Sequence, residues 1–224
     1  MENYTLPHLL NISIHVLSGS LALLLGIVAL SSKKGKKWHR KSGKTFLFFM
    51  FFVILTGLFG VFIFKVNPFL LVISLLSGYQ AFSGYRVLKS KSNTPKLLDV
   101  LVAIITLASG CYFIYYLNSI GMFWSPIIIY STLGFLFVII TYDFLRYLIP
   151  PKKYKNIWIY EHIYKMIAAF TALLSAFIGT ILPQYHPYSQ ILPSAFGTLL
   201  AIGFILYQYR SSNKKFPKTR PTLP

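Results

Sequence analysis

Acidic residues are the first candidates for chemistry, because the chain has only four Asp and Glu against 22 Lys and Arg. Asp143 lies three residues before Arg146, and Glu161 lies one helical turn before Lys165, both at the edges of apolar segments. A charge in or near hydrocarbon is costly, so it usually faces a partner or a cavity. Asp143 and Glu161 are therefore candidate catalytic residues. The alternative is that they tie helix ends together through Arg40, Arg86 or Arg146.

Histidine and methionine supply the second set of candidates. His39 stands in the segment WHRKSG, and His162 precedes Met166 by four residues. On a helix that spacing presents nitrogen and sulfur on one face, which suits haem iron or copper, and His39 could complete the site. His39, His162 and Asp143 could alternatively hold zinc, with Glu161 as the base of a hydrolase. The competing interpretation is that His162 forms a structural hydrogen bond and Met166 is packing.

His15 is a third candidate, for cofactor binding or proton handling. It shares one helical face with Asn11 and Ser18. That face should look into a helix bundle, because unpaired polar groups avoid lipid. At about 1.5 Å per residue His15 lies roughly 9 Å inside the first apolar segment. In a hydrocarbon core about 30 Å thick it is then some 15–20 Å from the level of His162, so one metal ion cannot bind both.

Composition places all of these residues in a membrane protein. The chain is 55% apolar and 12% charged, with a mean hydropathy of +0.62. A soluble domain carries about 25% charged residues, so this inventory cannot cover a water-facing surface. The net charge of +18 is dispersed among loops, which argues against nucleic acid and for attraction to anionic lipid headgroups.

Seven apolar segments are long enough to cross a bilayer, for which a helix needs about 20 residues. They span residues 9–30, 45–64, 69–88, 97–117, 126–148, 157–182 and 191–209. All but one of the 22 Lys and Arg then fall on the same side, the exception being Lys65. Basic loops stay cytoplasmic. The sequence therefore predicts an all-α bundle of seven transmembrane helices, with the N-terminus outside and the C-terminus cytoplasmic.

Short connections indicate a single domain, residues 1–209, followed by a basic and mobile tail at 210–224. The first segment has no basic residue before it, so it is predicted to be an uncleaved helix rather than a signal peptide. Trp38, Trp124 and Trp158 lie near predicted membrane edges, where indole rings prefer the headgroup zone. The lone Cys111 forms no intrachain disulfide.

Three motifs together resemble a known family. They are His15 with Gly19 and the run LALLLG, then His39-Arg40-x-x-Gly43, then His162-x-x-x-Met166 with Pro183 beyond. In order and spacing they are similar to a bacterial membrane-protein family, domain of unknown function 2306, over roughly residues 9–183. The resemblance implies a multi-pass protein of the bacterial inner membrane, and it directs attention to the six motif residues His15, His39, Arg40, Gly43, His162 and Met166. It implies no activity.

Three classes of function follow. The first is a haem- or metal-binding protein in redox chemistry or cofactor handling, using His39, His162 and Met166. The second is the membrane-embedded zinc hydrolase. The third is a transporter, or a non-catalytic subunit of a membrane complex or homo-oligomer, in which Gln80 and His15 leave a polar path open.

Overall fold

A computed structural model of the chain describes residues 5–65, 69–120 and 125–215. Within these ranges the protein is entirely helical, with turns between helices and no strand, which confirms the predicted all-α class. Glu2, Trp124 and residues 216–224 of the predicted tail lie outside the described residues.

The described residues form seven long helices and one short one. In chain order they are α1 (Leu6–Ser31), α2 (Lys37–Phe62), α3 (Phe69–Ser90), α4 (Leu97–Ile120), α5 (Pro126–Leu145), the short α6 (Pro151–Tyr154), α7 (Trp158–Ile181) and α8 (Tyr188–Lys215). Single 3-10 turns follow α5 at Arg146–Leu148 and α7 at Pro183–Tyr185.

Most boundaries lie within three residues of the predicted apolar segments, and two differ by more. The helix α2 begins at Lys37, eight residues before the predicted start at 45, and α8 continues to Lys215 inside the predicted tail. Hydropathy finds only the part of a helix that sits in hydrocarbon. Lys and Arg are good helix formers, so a basic segment readily extends a helix beyond it.

Six of the described helices are long and apolar enough to cross a membrane: α1, α2, α4, α5, α7 and α8. The protein is therefore a multi-pass membrane protein. The exception among the long helices is α3, because its length contains Ser74, Ser77, Gln80, Ser83 and Arg86. Its polarity is explained by its position, since α3 packs against α2, α4, α5 and α7 and is enclosed by them.

Two antiparallel pairs flank α3, one formed by α1 and α2 and the other by α7 and α8. Small residues allow the closest approaches. A Cβ placed at Gly84 of α3 would lie 3.0 Å from Cβ of Lys165 on α7, and one at Gly197 of α8 would lie 2.6 Å from Cβ of Thr171. By contrast, the backbones of α5 and α7 do not pack closely against each other.

Packing of the apolar side chains divides into two cores. One joins α3, α4 and α5 through residues such as Leu76, Phe113 and Leu136. The other joins α1, α2 and α7 through Ala22, Met50 and Phe170, among others. The loops 32–36, 91–96 and 149–157 lie at one end of the bundle, called here the basic end. Trp38 and Trp158 are also at this end, and Trp38 is exposed as an interfacial indole should be.

Candidate functional site

Four charged side chains are buried together at the basic end, where α5 ends and α7 begins. This charged cluster consists of Asp143, Arg146, Glu161 and Lys165. Lys165 is 1% exposed, and none of the other three exceeds 6%. Two acids and two bases balance in charge, which lets the group exist away from water.

Ion pairs connect the cluster across α5 and α7. Nζ of Lys165 donates to Oδ1 of Asp143 and lies 3.9 Å from Oε2 of Glu161. Nη1 of Arg146 donates to Oε2 of Glu161 at 2.7 Å, and its Nε lies 3.5 Å from Oδ1 of Asp143. Because the two backbones do not approach closely, long polar side chains close the distance between α5 and α7 at this end.

Three tyrosines complete the hydrogen bonding of the cluster. The Tyr79 hydroxyl donates to Oδ2 of Asp143 at 2.8 Å, and the Tyr142 hydroxyl donates to Oε1 of Glu161 at 2.7 Å. Nη1 of Arg146 also donates to the Tyr154 hydroxyl at 3.0 Å. Burial raises the pKa of the Tyr154 phenol, so its oxygen is neutral when it accepts this bond.

Beside the cluster lies a second ion pair, between α3 and α4. Nε and Nη2 of Arg86 donate to the two carboxylate oxygens of Asp99, at 2.5 and 3.1 Å. A cavity of about 10 Å³ separates this pair from Asp143 and Arg146. Ser83 also lines it, and both Oγ of Ser83 and Nε of Arg146 are buried without a hydrogen-bond partner among the described residues. That volume is about what one water molecule needs.

A row of polar residues runs along α3 into this cavity. Ser74, Ser77, Gln80, Ser83 and Arg86 recur at every third position, and we call them the α3 polar stripe. Its first four members are buried, and Gln80 is 0% exposed. Neither Nε2 nor Oε1 of Gln80 has a hydrogen-bond partner in the described part of the chain. A spacing of three residues is less than the 3.6 residues of one helical turn. The stripe therefore winds around α3 from its N-terminal end to its C-terminal end.

The winding is visible in what each end of the stripe touches. At its start Oγ of Ser74 would lie 2.8 Å from a Cβ placed at Gly57, so Ser74 faces α2. At its end Ser83 and Arg86 face α4 and α5, in the small cavity with Asp99 and Asp143.

His15 lies at the start of the stripe, far from the charged cluster. Its Nδ1 is 2.9 Å from Oγ1 of Thr56, and Nδ2 of Asn11 donates to the carbonyl of Thr56 at 3.1 Å. Cε1 of His15 would lie 3.8 Å from a Cβ at Gly57, the same point that Ser74 approaches. Asn11, His15, Thr56 and Ser74 thus form a polar group between α1, α2 and α3.

His39 and His162 bind backbone carbonyls. Nδ1 of His39 donates to the carbonyl of Ala29 at 2.9 Å, near the C-terminus of α1, where carbonyls lack helical partners. Nδ1 of His162 donates to the carbonyl of Gly84 at 3.0 Å and so joins α7 to α3. Met166 also contacts Gly84 and packs against the core of α1, α2 and α7.

The predicted ligand sets are brought together only in part. Among the described residues no three His, Cys, Asp or Glu side chains are placed to share one metal ion. Asp143 is held by Lys165 and Tyr79 on the α5 side of α7, whereas His39 and His162 belong to the side facing α1 and α3. The zinc and haem hypotheses for His39, His162, Asp143 and Met166 therefore stay predictions.

Sequence reasoning missed several members of the cluster. Pairing of Asp143 and Glu161 with Arg146 is one of the predicted alternatives and is confirmed. The expectation did not include Lys165 as the partner of Asp143, nor the three tyrosines. One signal was available, since Lys165 follows Glu161 by four residues and must share its helical face.

Comparison with known proteins adds no further assignment, since no family model, no curated protein and no solved structure matches the chain.

Proposed function

We propose that the chain crosses the bacterial inner membrane seven times, with its N-terminus outside and its basic end in the cytoplasm. The 22 residues of α3 give a helix about 33 Å long, at about 1.5 Å per residue, which exceeds the hydrocarbon thickness of about 30 Å. A helix enclosed by four neighbours does not need an apolar surface. With α3 as a span, basic loops remain cytoplasmic and meet anionic headgroups.

Within this topology we propose that the protein belongs to the transporter class and carries protons along α3. The observation that supports the proposal is the α3 polar stripe, which joins the level of His15 to the carboxylate of Asp143. From Ser74 to Arg86 it covers twelve residue-to-residue steps, or about 18 Å of the membrane at about 1.5 Å per residue. Buried polar groups in a membrane helix are costly and are usually functional.

Protons suit this path better than a hydrated ion does. Its members are hydroxyls, an amide, an imidazole and carboxylates, with the Arg86 guanidinium at its end as a donor only. Hydroxyls, the amide and the imidazole can both donate and accept hydrogen bonds. The Ser83 cavity of about 10 Å³ has room for about one water molecule, but not for an ion with its hydration shell. Gln80, Ser83 and Arg146 each have a buried polar atom without a hydrogen-bond partner among the described residues. Water molecules that bridge the stripe can form hydrogen bonds with these atoms.

Proton flux into liposomes tests this function. We expect the purified protein, with a pH-sensitive dye trapped inside the vesicles and a potassium diffusion potential applied, to speed proton entry over protein-free vesicles. His15→Phe keeps an aromatic ring but removes the proton carrier, so its flux should fall to near that of empty vesicles. Thr180→Val is the matched control, because Thr180 is exposed and only donates to the carbonyl of Ala176. Equal rates for wild type and empty vesicles would refute the proposal.

Metal binding is a second candidate, favoured by the geometry of His39 and His162. Each imidazole donates Nδ1–H to a carbonyl, which leaves Nε2 as the unprotonated nitrogen. Metal-ligating histidines commonly have this arrangement. Elemental analysis and a visible absorption spectrum of the purified protein test it. If the protein contains no bound metal and shows no haem band, the two histidines have only their structural hydrogen bonds.

A further inference from the structure

A cavity of about 280 Å³ lies between α3, α5, α7 and α8, away from the charged cluster. It is nearly twice the size of an engineered apolar cavity of about 150 Å³ that binds benzene. Most of the cavity wall is apolar, and most of the hydroxyl groups that line it already form hydrogen bonds within the protein. Oγ1 of Thr171 and Thr198 donate to carbonyls one turn back, and Ser175 and Ser194 bond to each other at 2.8 Å.

Small side chains create this cavity. On α7 the lining includes Ala168, Ala172 and Ala176, and on α8 it includes Ala195, Gly197 and Ala201. These residues let α7 and α8 pack closely, as at Gly197 and Thr171, but they leave the space toward α5 unfilled. Among the described residues, α5 is joined to α7 by ion pairs and the Tyr142–Glu161 hydrogen bond at the basic end, and by the Phe135–Tyr164 ring contact. The two backbones do not pack closely against each other, so the two helices enclose this cavity as a trough toward the other end.

The trough opens sideways. Ser194, Ala195 and Thr198 line it and are nevertheless exposed, as is Ser131 on the opposite wall. These residues belong to α5 and α8, two of the helices that are long and apolar enough to cross a membrane. The opening between α5 and α8 therefore faces lipid rather than water.

Its length matches one leaflet. The lining residues of α8 run from Gln190 to Ala201, which is eleven residue-to-residue steps or about 16 Å at about 1.5 Å per residue. Half of a hydrocarbon core about 30 Å thick is about 15 Å. The trough begins near the end of the bundle opposite the basic loops and closes at Phe135 and Tyr164, whose ring centroids are 6.3 Å apart.

We infer that the trough between α5, α7 and α8 binds one acyl chain of a phospholipid from the leaflet opposite the basic end. Its wall combines alanine, glycine and hydroxyl residues with larger apolar side chains such as Ile73, Leu76 and Ile128, which suits a linear hydrocarbon chain. The described lining residues include no charged side chain, so the site gives no preference for one headgroup. This site is independent of proton transfer along α3, and either proposal can fail alone.

Photolabelling of the full-length protein in bilayers tests the inference. The probe is phosphatidylcholine with a diazirine near the middle of one acyl chain, and labelled peptides are mapped by mass spectrometry. We expect α7 and α8 peptides of the trough to be labelled several-fold more than α4, whose Ile105 and Tyr115 are 62% and 72% exposed. Ala195→Phe should fill the trough and remove this excess.

Leu199→Phe is the matched control, because Leu199 is on the same helix, is 69% exposed and does not line the trough. It should leave labelling unchanged. Thr198→Phe is a second filling variant should Ala195→Phe not fold. Labelling of the trough no stronger than that of α4, or an excess that survives both filling variants, would overturn the inference and indicate bulk lipid alone.

Discussion

Replacing Lys165 with Met should lower the free energy of unfolding by about 3–5 kcal/mol, the usual cost of removing one partner from a buried charge network. Met keeps the length of the side chain and the packing of its stem. The change removes the cation that binds Asp143 and lies 3.9 Å from Glu161, so two acids then share only Arg146. Reversible unfolding in mixed micelles measures the effect.

Two further variants separate charge pairing from general disturbance. Lys89→Met removes an exposed lysine and should change stability by no more than about 0.5 kcal/mol. Adding Asp143→Asn to Lys165→Met removes the uncompensated carboxylate and should recover part of the loss, as coupled neighbours do. If Lys165→Met is as mild as Lys89→Met, the charged cluster does not hold α5 to α7.

The variant Gln80→Leu should have two opposite effects, a gain in stability and a loss of proton flux. A buried amide without a partner costs about 1–3 kcal/mol, and Leu has a similar volume without polar atoms. The free energy of unfolding should rise by about this amount. Proton entry into liposomes should fall, because the change interrupts the α3 polar stripe between Ser77 and Ser83.

Gln208→Leu is the control for this prediction. Gln208 lies on α8, and its Nε2 already donates to Oγ of Ser212 at 3.3 Å. Its replacement should alter stability by no more than about 0.5 kcal/mol and leave the flux unchanged. A Gln80→Leu protein that is destabilised would mean that the amide has a structural partner. One that is stabilised with full flux would mean that Gln80 is not part of the path.

The sequence was sufficient to predict the helices, because each long apolar segment is a strong and local signal. Polarity was harder to interpret. Ser74, Ser77, Gln80, Ser83 and Arg86 lower the hydropathy of α3, and only its neighbours show that the helix is enclosed. Enclosure depends on how helices pack, and a single sequence does not state which helices are adjacent.

Contacts of the site were more predictable the closer the two residues lie along the chain. The pairing of Asp143 with Arg146 follows from their spacing of three residues. That of Asp143 with Lys165 spans 22 residues and depends on how far α5 and α7 are separated. His39 shows the reverse problem, since residue type alone suggested a metal ligand while its nearest partner is the carbonyl of Ala29.

The proposed proton path requires that α3 crosses the membrane, because only then does the α3 polar stripe run from one side of the membrane toward the other. Cysteine accessibility at the two ends of α3 tests whether it does. In a Cys111→Ala background, Lys65→Cys before α3 and Lys96→Cys after it provide matched positions, both exposed. A membrane-impermeant maleimide applied to intact cells should label Lys65→Cys at once and Lys96→Cys only after permeabilisation. Equal labelling of both cysteines from one side would show that the two ends of α3 lie on the same side of the membrane. That result would contradict the proton path.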